Sequence, residues 1–317
     1  MRLIEGLDAL LALDLHALYG ASLAAHSVVA VGVFDGVHLG HQRLLHDLLE
    51  MASSRGGVPT VVTFHNHPDE LLHGTQPQLL VSVPHRLRLL RRAGVQRLVL
   101  LDFEPRLQSM TAREFAQRIL VDRLHARALL LGYDSALGRD REGTPGRFAE
   151  LGRELGFEVR RGEPFLVDGR VVSSTAIRTA VTTGDLALAQ RYLGRWPSTF
   201  GTVVRGDGRG KHLGWPTANL VPQAGVQPPA GVYAVQVLLD GNVHGGIANL
   251  GVHPTFGAAD KPLLEVHLFD FDADLYGREL EVCFLAHLRG EQRFAGAEQL
   301  KAQVAADVVR ARGILRS

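Results

Sequence analysis

Residues 28–42 read VVAVGVFDGVHLGHQ. A short β-branched run, VVAVGV (28–33), gives way to a glycine-bearing turn, and the amphipathic stretch HQRLLHDLLEMA (41–52) follows. Strand, turn and helix in that order open a βαβ unit, and the pattern recurs outward. VPTVVTF (58–64), RLVLLDF (97–103) and ARALLLGY (126–133) are further strand-like runs. Between them, SVPHRLRLLRRAG (82–94) and TAREFAQRILVDRL (111–124) carry helical spacing. Ser82 and Thr111 read as N-caps, and Glu114 completes a capping box with Thr111. Strands alternating with helices predict an α/β, Rossmann-like domain on a parallel sheet.

The pattern changes near residues 185–198. A helical piece, GDLALAQRYLG (184–194), leads to Arg195-Trp196-Pro197. Beyond it come Gly- and Pro-rich turns and short β-type runs: FGTVVRG, GVYAVQVLL, NVHGGIANLG, LLEVHLFDF and LEVCFLAHL. These predict an antiparallel β-barrel, closed by one helix over GAEQLKAQVAADVVRARGIL (296–315). A chain of 317 residues exceeds one ordinary core. Two domains are expected, over 1–185 and 196–317.

Hydrophobic residues make up 46% and charged residues 21%, the balance of a folded globular protein. With 34 basic and 33 acidic residues the net charge is +1, which gives no broad footprint for nucleic acid or anionic membrane. The basic segment HRLRLLRRAGVQR (85–97) has its Arg residues interleaved with Leu87, Leu90 and Ala93, the pattern of a solvated helix face. The leucine-rich start is interrupted by Glu5, Asp8, Asp14 and His16, so it fits neither a signal peptide nor a membrane span. Cys283 is the single cysteine, expected as a buried strand residue, and a cytoplasmic location fits.

GVFDGVHLGHQ (32–42) ends the first strand and opens a helix. The C-terminal end of such a strand faces the usual ligand crevice, and the helix N-terminus offers unpaired N–H groups to phosphate. Gly36 and Gly40 allow close backbone approach, and Asp35 is placed to orient the loop. His38 and His41, one turn apart, can both donate to a triphosphate. The same pair also reads as a surface feature or as two metal ligands, with His65, His67 or His73 as a third. In VVSSTAIRTAVTTGD (171–185), Ser173, Ser174 and Thr175 place hydroxyls at a helix N-terminus with Arg178 one turn in. That is a phosphate cradle or an ordinary N-cap.

Residues 206–220 read GDGRGKHLGWPTANL. A P-loop fails here, because Arg205 stands where its first Gly is needed and His212 follows Lys211. Gly206, Gly208 and Gly210, with Lys211, can still cradle phosphate in a backbone nest. In PTAN, Thr217 and Asn219 alternate onto one face and offer hard neutral oxygens suited to Mg²⁺, unless the segment is only a turn before a strand. Glu265, His267 and Phe269 alternate onto one face of LEVHLF. Asp270, Asp272 and Asp274 lack the Gly and terminal Glu of an EF-hand and read as a turn.

The HLGH of residues 38–41 resembles the HxGH signature of the nucleotidyltransferase superfamily, and residues 173–178 resemble its SSTxIR motif. GTVVRGDGRGKHLGWPTANL, GVYAV, IANLGVHPTFG and LEVHLFDFDADLYG resemble the riboflavin kinase domain, a Greek-key barrel. Together, from about Val28 onward, they resemble the bifunctional bacterial riboflavin kinase/FAD synthetase family. The resemblance implies that the chain phosphorylates riboflavin to FMN and adenylylates FMN to FAD, with ATP and Mg²⁺. It implies Thr217 and Asn219 at the metal and nucleotide, Glu265 as the kinase base, and His38, His41 and Arg178 at the adenylylation site. Partners would be riboflavin, FMN, FAD and ATP, with no nucleic acid and no membrane. Two segments depart from the family. GYDSALG (132–138) has Ser135 and Leu137 where Phe is common, and TFHNHP (63–68) has His65 and Asn66 where an acid and then Pro are frequent. A monofunctional kinase with a worn first domain, or a flavin-binding regulator without turnover, are the alternatives.

Overall fold

The computed structural model describes residues 1–13, 26–74, 77–206, 214–223, 225–253 and 261–316. The chain divides into two compact units, Met1–Gln78 with Val83–Ser173, and Leu79–Ser82 with Ser174–Ser317.

The first unit is built on six strands: β1 (Arg2–Glu5), β2 (Ser27–Val31), β3 (Val58–Phe64), β4 (Arg97–Leu101), β5 (Ala126–Leu131) and β6 (Glu158–Arg161). They form one parallel sheet in the order β1-β4-β3-β2-β5-β6. Val28, Val29, Ala30 and Val31 are all buried, because helices cover both faces, and such a strand reads as a continuous apolar run rather than an alternating one. Val29, Val31, Val62 and Leu129 pack on one side against Phe115, Ile119 and Phe148. Strand order reverses at β2, with β3 and β4 on one side and β5 and β6 on the other, so the crevice at the carboxyl end of β2 is the topological switch point.

The expected Thr111–Glu114 capping box is present: each side chain bonds the other residue's backbone N–H. The helix it starts, Ala112–Phe115, widens into a π turn over Ala116–Val121. A short antiparallel pair, β7 (Leu166–Val167) and β8 (Arg170–Val171), follows the sheet. Strand β1 was not expected from the leucine-rich start; it pairs with β4 at the sheet edge.

The second unit begins with helices Ser174–Thr182 and Leu186–Leu193. Asp185 caps the latter by accepting the Leu188 N–H at 3.0 Å, and Gly194, at φ 71°, ends it in the left-handed region. Six strands then close a barrel: β9 (Ser198–Val204), β10 (Ala218–Pro222), β11 (Gly231–Leu239), β12 (Asn242–His253), β13 (Lys261–Leu268) and β14 (Glu279–Arg289). All neighbours are antiparallel, in the order β10-β13-β12-β11-β14-β9. Strands β11, β12 and β13 run as a meander and β14 returns beside β11, which is the Greek-key arrangement. Leu264, Val266, Leu268, Val235 and Val282 fill the interior. Cys283 falls on the outward side of β14 and is half-buried, not buried as expected, because its neighbours Val282 and Phe284 take the inward positions.

Helix Ala297–Arg316 covers part of the barrel's outer face, where Val308 and Ala311 pack with Ala234, Ile247 and Phe269. Two ion pairs tie it down. Arg312 donates to both carboxylate oxygens of Asp270 at 2.8 and 2.9 Å, and this holds the Asp270 carboxyl below the usual carboxylate range. Arg289 Nε donates to Asp307 at 2.9 Å, and Gln303 donates to the other carboxylate oxygen at 2.9 Å. The Asp307 side chain is nearly inaccessible and Arg289 is largely covered, so Asp307→Ala leaves a poorly solvated guanidinium without its carboxylate. The barrel's denaturant-unfolding free energy should fall by about 3–5 kcal/mol, whereas Asp270→Ala, at the solvent-screened pair, should cost much less.

Candidate functional sites

In the first unit, β2 ends at Val31 and the chain turns through an unusual path. Phe34 (φ 54°), Gly36 (φ 73°) and Val37 (φ 43°) all take left-handed dihedrals, and for a β-branched residue such as Val37 that is a strained conformation. The loop is held from beneath. Arg86, 1% exposed, donates to the Val33 carbonyl at 2.8 Å and to the Phe64 carbonyl. It thereby joins the carboxyl ends of β2 and β3. Burial lowers its pKa to about 10, offset in part by attraction to Asp35, itself only 3% exposed. Asp35 is thus buried within the loop near the Arg86 guanidinium.

His38 is extended (φ −72°, ψ 174°) and is the N-cap of helix Leu39–Arg55. Its Nδ1 accepts the His41 backbone N–H at 3.4 Å, which leaves the proton of a neutral ring on Nε2. The His38 and His41 rings stack at 3.7 Å with 19° between planes, and Phe34 lies 5.2 Å from His41. Gly40 makes this possible: a Cβ there would stand 3.2 Å from two ring atoms of His38. The two imidazoles are therefore brought together at a helix N-terminus. Among the described residues no group of three His, Cys, Asp or Glu side chains could hold a metal.

A cavity of about 220 Å³ opens at the carboxyl edge of the same sheet. Val31 and Val33, Phe64, Phe103 and Asp134 bring the ends of β2, β3, β4 and β5 to its wall. Ser135 and Leu137, the two departures in GYDSALG, line it as well, and Leu137 also packs against the edge of the core. Leu137 is fixed there by paired backbone hydrogen bonds with Gly143 at 3.0 and 2.8 Å. Ser173 closes the first compact unit; Ser174 and Thr175 open helix Ser174–Thr182 and Arg178 lies one turn along it, in the second. Arg178 is half-buried and Thr175 exposed.

In the barrel, the polar site lies on the outer face and not in the lumen. Asn219 of β10 is directly opposite Glu265 of β13, and Glu265 is directly opposite Asn249 of β12. Directly paired residues share a face, so three polar side chains form a row across three adjacent strands. Glu265, Asn249 and Thr217 line a cavity of about 370 Å³ beneath the closing helix, within the usual range for a small-molecule site. Trp215, His267, Arg289, Glu291 and Asp307 add to its polar and aromatic wall. His267 Nδ1 lies 2.8 Å from the Pro216 carbonyl, and the Trp215 ring packs edge-on to His267 at 5.3 Å. The PTAN segment is thereby pinned to the strand that carries Glu265.

Gly206 abuts Asn219, 8% exposed, so closely that a Cβ would overlap its amide nitrogen. Gly208, Gly210 and Lys211 lie outside the described residues. The aspartate run is used locally: Asp274 accepts the Tyr276 N–H at 2.9 Å and Asp270 is taken by Arg312. Sequence reading missed Asn249, Arg289, Glu291 and Asp307. An Asn inside the apolar strand IANLG was a signal for the first; the others depend on how the closing helix docks.

The FAD synthetase family pattern matches residues 21–176 and the riboflavin kinase pattern residues 193–315. A bifunctional riboflavin kinase/FMN adenylyltransferase of Pseudomonas fluorescens is 42% identical over 293 residues, covering 90% of this chain and 92% of that one. The protein of that name from Escherichia coli (strain K12) is 39% identical over 287 residues, covering 90% and 91%. The crystal structure of a macrolide-efflux protein from Streptococcus pneumoniae superposes with a TM-score of 0.80 at 32% identity, covering 91% of this chain and 94% of that one. The efflux in that name is said of that protein; among the described residues here, no helix is long and apolar enough to cross a membrane. A parallel sheet with a histidine-bearing loop at the carboxyl end of β2, a Greek-key barrel with Thr217, Asn249 and Glu265 around one cavity, and relatives matched over nine-tenths of their length place this chain in the bifunctional riboflavin kinase/FMN adenylyltransferase family.

Proposed function

We propose that the barrel, within residues 196–317, transfers the γ-phosphoryl group of ATP to riboflavin. The first domain, within residues 1–185, then joins FMN to the adenylyl group of a second ATP, giving FAD and pyrophosphate. The observation that carries the reading is the row Asn219–Glu265–Asn249, of which Glu265 and Asn249 line one cavity with Thr217. Glu265 accepts the proton of the ribityl 5′-hydroxyl as its oxygen attacks the γ-phosphorus and the bond to the β-phosphate oxygen breaks, releasing ADP. Alignment and charge neutralisation supply most of the effect. The donor set of hydroxyl, amide and carboxylate oxygens, with no His or Cys among the three, suits Mg²⁺, which neutralises phosphate charge when bound. Thr217 and Asn219 would hold it, with Gly206, Gly208, Gly210 and Lys211 at the phosphates.

In the first domain, the N-terminus of helix Leu39–Arg55 and the donors of His38 and His41 suit a triphosphate, with Gly36 and Gly40 giving it room. Ser173, Ser174, Thr175 and Arg178 would bind the transferring end. A phosphate oxygen of FMN attacks the α-phosphorus and pyrophosphate leaves. The aromatic and apolar 220 Å³ cavity receives the isoalloxazine ring. Scarce cysteine and the lack of a membrane-spanning helix among the described residues are compatible with a cytoplasmic enzyme.

One incubation of the full chain with riboflavin, excess ATP and Mg²⁺ tests both halves. FMN should appear first and FAD follow it. FMN accumulating without FAD would leave a kinase with a worn first domain, and no conversion would leave a flavin-binding protein without turnover.

A further inference from the structure

The ladder between β3 and β4 does not stop where the strands do. Phe64 pairs with Leu101, and the next backbone bond runs from His65 N–H to the Leu101 carbonyl at 2.8 Å. One step further, the partner of β4 is a side chain. The Asn66 amide nitrogen donates to the Phe103 carbonyl at 3.0 Å, and the Phe103 N–H donates to the Asn66 amide oxygen at 2.8 Å. A side-chain amide thus offers the same donor–acceptor pair as a backbone residue and adds one rung to a parallel ladder beyond its last strand residue. Neither alanine nor proline at this position has a side chain able to do so.

The rung sits at the mouth of the 220 Å³ cavity. Phe64, on one side of Asn66, and His67, Pro68 and Asp69, on the other, line that cavity, as does Phe103 across the rung. The Phe64 and Phe103 rings meet edge-to-face, 5.8 Å between centroids and 90° between planes. Asn66 itself is not among the lining residues. Both loops it joins leave strand ends, and among the described residues no backbone–backbone bond joins them beyond His65 N–H to Leu101.

We infer that Asn66 is a positioning residue for FMN adenylylation. It fixes the spacing of the β3 and β4 loops so that Phe64, Phe103 and the 67–69 segment form a preorganised slot for the flavin ring. The inference rests on the reading that this cavity receives FMN. It assigns Asn66 an effect on flavin affinity and none on phosphoryl chemistry, because both of its hydrogen bonds end on the Phe103 backbone at the cavity wall.

The test uses the full chain, in which riboflavin phosphorylation is an internal control for folding. Asn66→Ala should raise KM for FMN in adenylylation by about three- to tenfold, the size of one or two net neutral hydrogen bonds. Its kcat, its KM for ATP and the kinase turnover should stay within about twofold. Asn66→Asp keeps the acceptor for the Phe103 N–H and loses the donor, and its KM should fall between those of Asn66→Ala and the parent. Leu137→Trp, which alters the cavity wall directly, should shift KM for FMN. If Leu137→Trp moves that constant and Asn66→Ala does not, the clamp is wrong and the cavity reading stands. If neither moves it, or only KM for ATP responds, the cavity is not the flavin site and both fail. Loss of kinase turnover and of unfolding temperature alongside FMN affinity would make Asn66 merely structural and overturn the inference.

Discussion

Glu265→Gln should lower kcat for riboflavin phosphorylation by about 10²–10⁴-fold, the usual contribution of a positioned general base. It should leave adenylylation of supplied FMN within about twofold, because no term of the base effect enters that reaction. The substitution is close to isosteric. Glu265 alternates with Leu264 and Val266, which stay in the barrel interior, so the core is untouched. Its backbone pairings with Asn219 and Asn249 do not depend on the carboxylate. What is lost is the only charged member of the polar row, and with it both the proton acceptor and a share of the cation's ligand field. The two losses separate in steady-state kinetics. A missing base lowers kcat with little change in KM for riboflavin; a missing metal contact raises the Mg²⁺ concentration needed for half-maximal rate. Rates within about threefold of the parent at saturating Mg²⁺ would remove Glu265 from proton transfer and leave alignment as its whole role.

What the sequence disclosed, and what it withheld, follows from the range of the interactions involved. The run VVAVGVFDGVHLGH was legible because a parallel strand buried on both faces is apolar throughout, and because a turn that needs left-handed dihedrals advertises itself through glycine. Gly36 fits that reasoning, at φ 73°. Phe34 and Val37 do not; they take left-handed dihedrals without glycine in a loop whose Val33 carbonyl is held by Arg86, a support that no local signal announces. Gly206 was legible as a glycine of a phosphate nest, yet in the structure its lack of a side chain makes room for the Asn219 amide. The pairing of Asn249 with Glu265 depends on strand register between β12 and β13, and the Asn66 rung on which loop lies opposite residue 66. Both are long-range facts. Strand β1 escaped notice because four residues, RLIE, carry too little periodicity to separate a strand from a loop. Cys283 was misjudged for a related reason: within a mostly apolar run, inward and outward positions of a half-covered strand look alike.

His41→Ala should abolish most FAD formation, about 10²–10³-fold in kcat for adenylylation, the cost of removing one preorganised donor to a developing oxyanion. FMN formation by the barrel should be unaffected. The side chain is half-buried on the first turn of helix Leu39–Arg55, where alanine is a favourable residue, so the helix itself is not at risk. His38 keeps its place, because the bond to its Nδ1 comes from the backbone N–H of residue 41 and alanine retains that group. The ring of His38 does lose the stacking partner 3.7 Å away. His41→Phe restores a ring without a donor and so separates stacking from charge stabilisation. If both variants lose activity equally, the imidazole N–H acts on the leaving pyrophosphate. If His41→Phe recovers most of the rate, His41 serves to hold His38, and the electrostatic role passes to His38 and the helix N-terminus. Equal loss of FMN and FAD formation in His41→Ala would contradict two separate sites altogether, since among the described residues none that lines the barrel cavity belongs to the first compact unit.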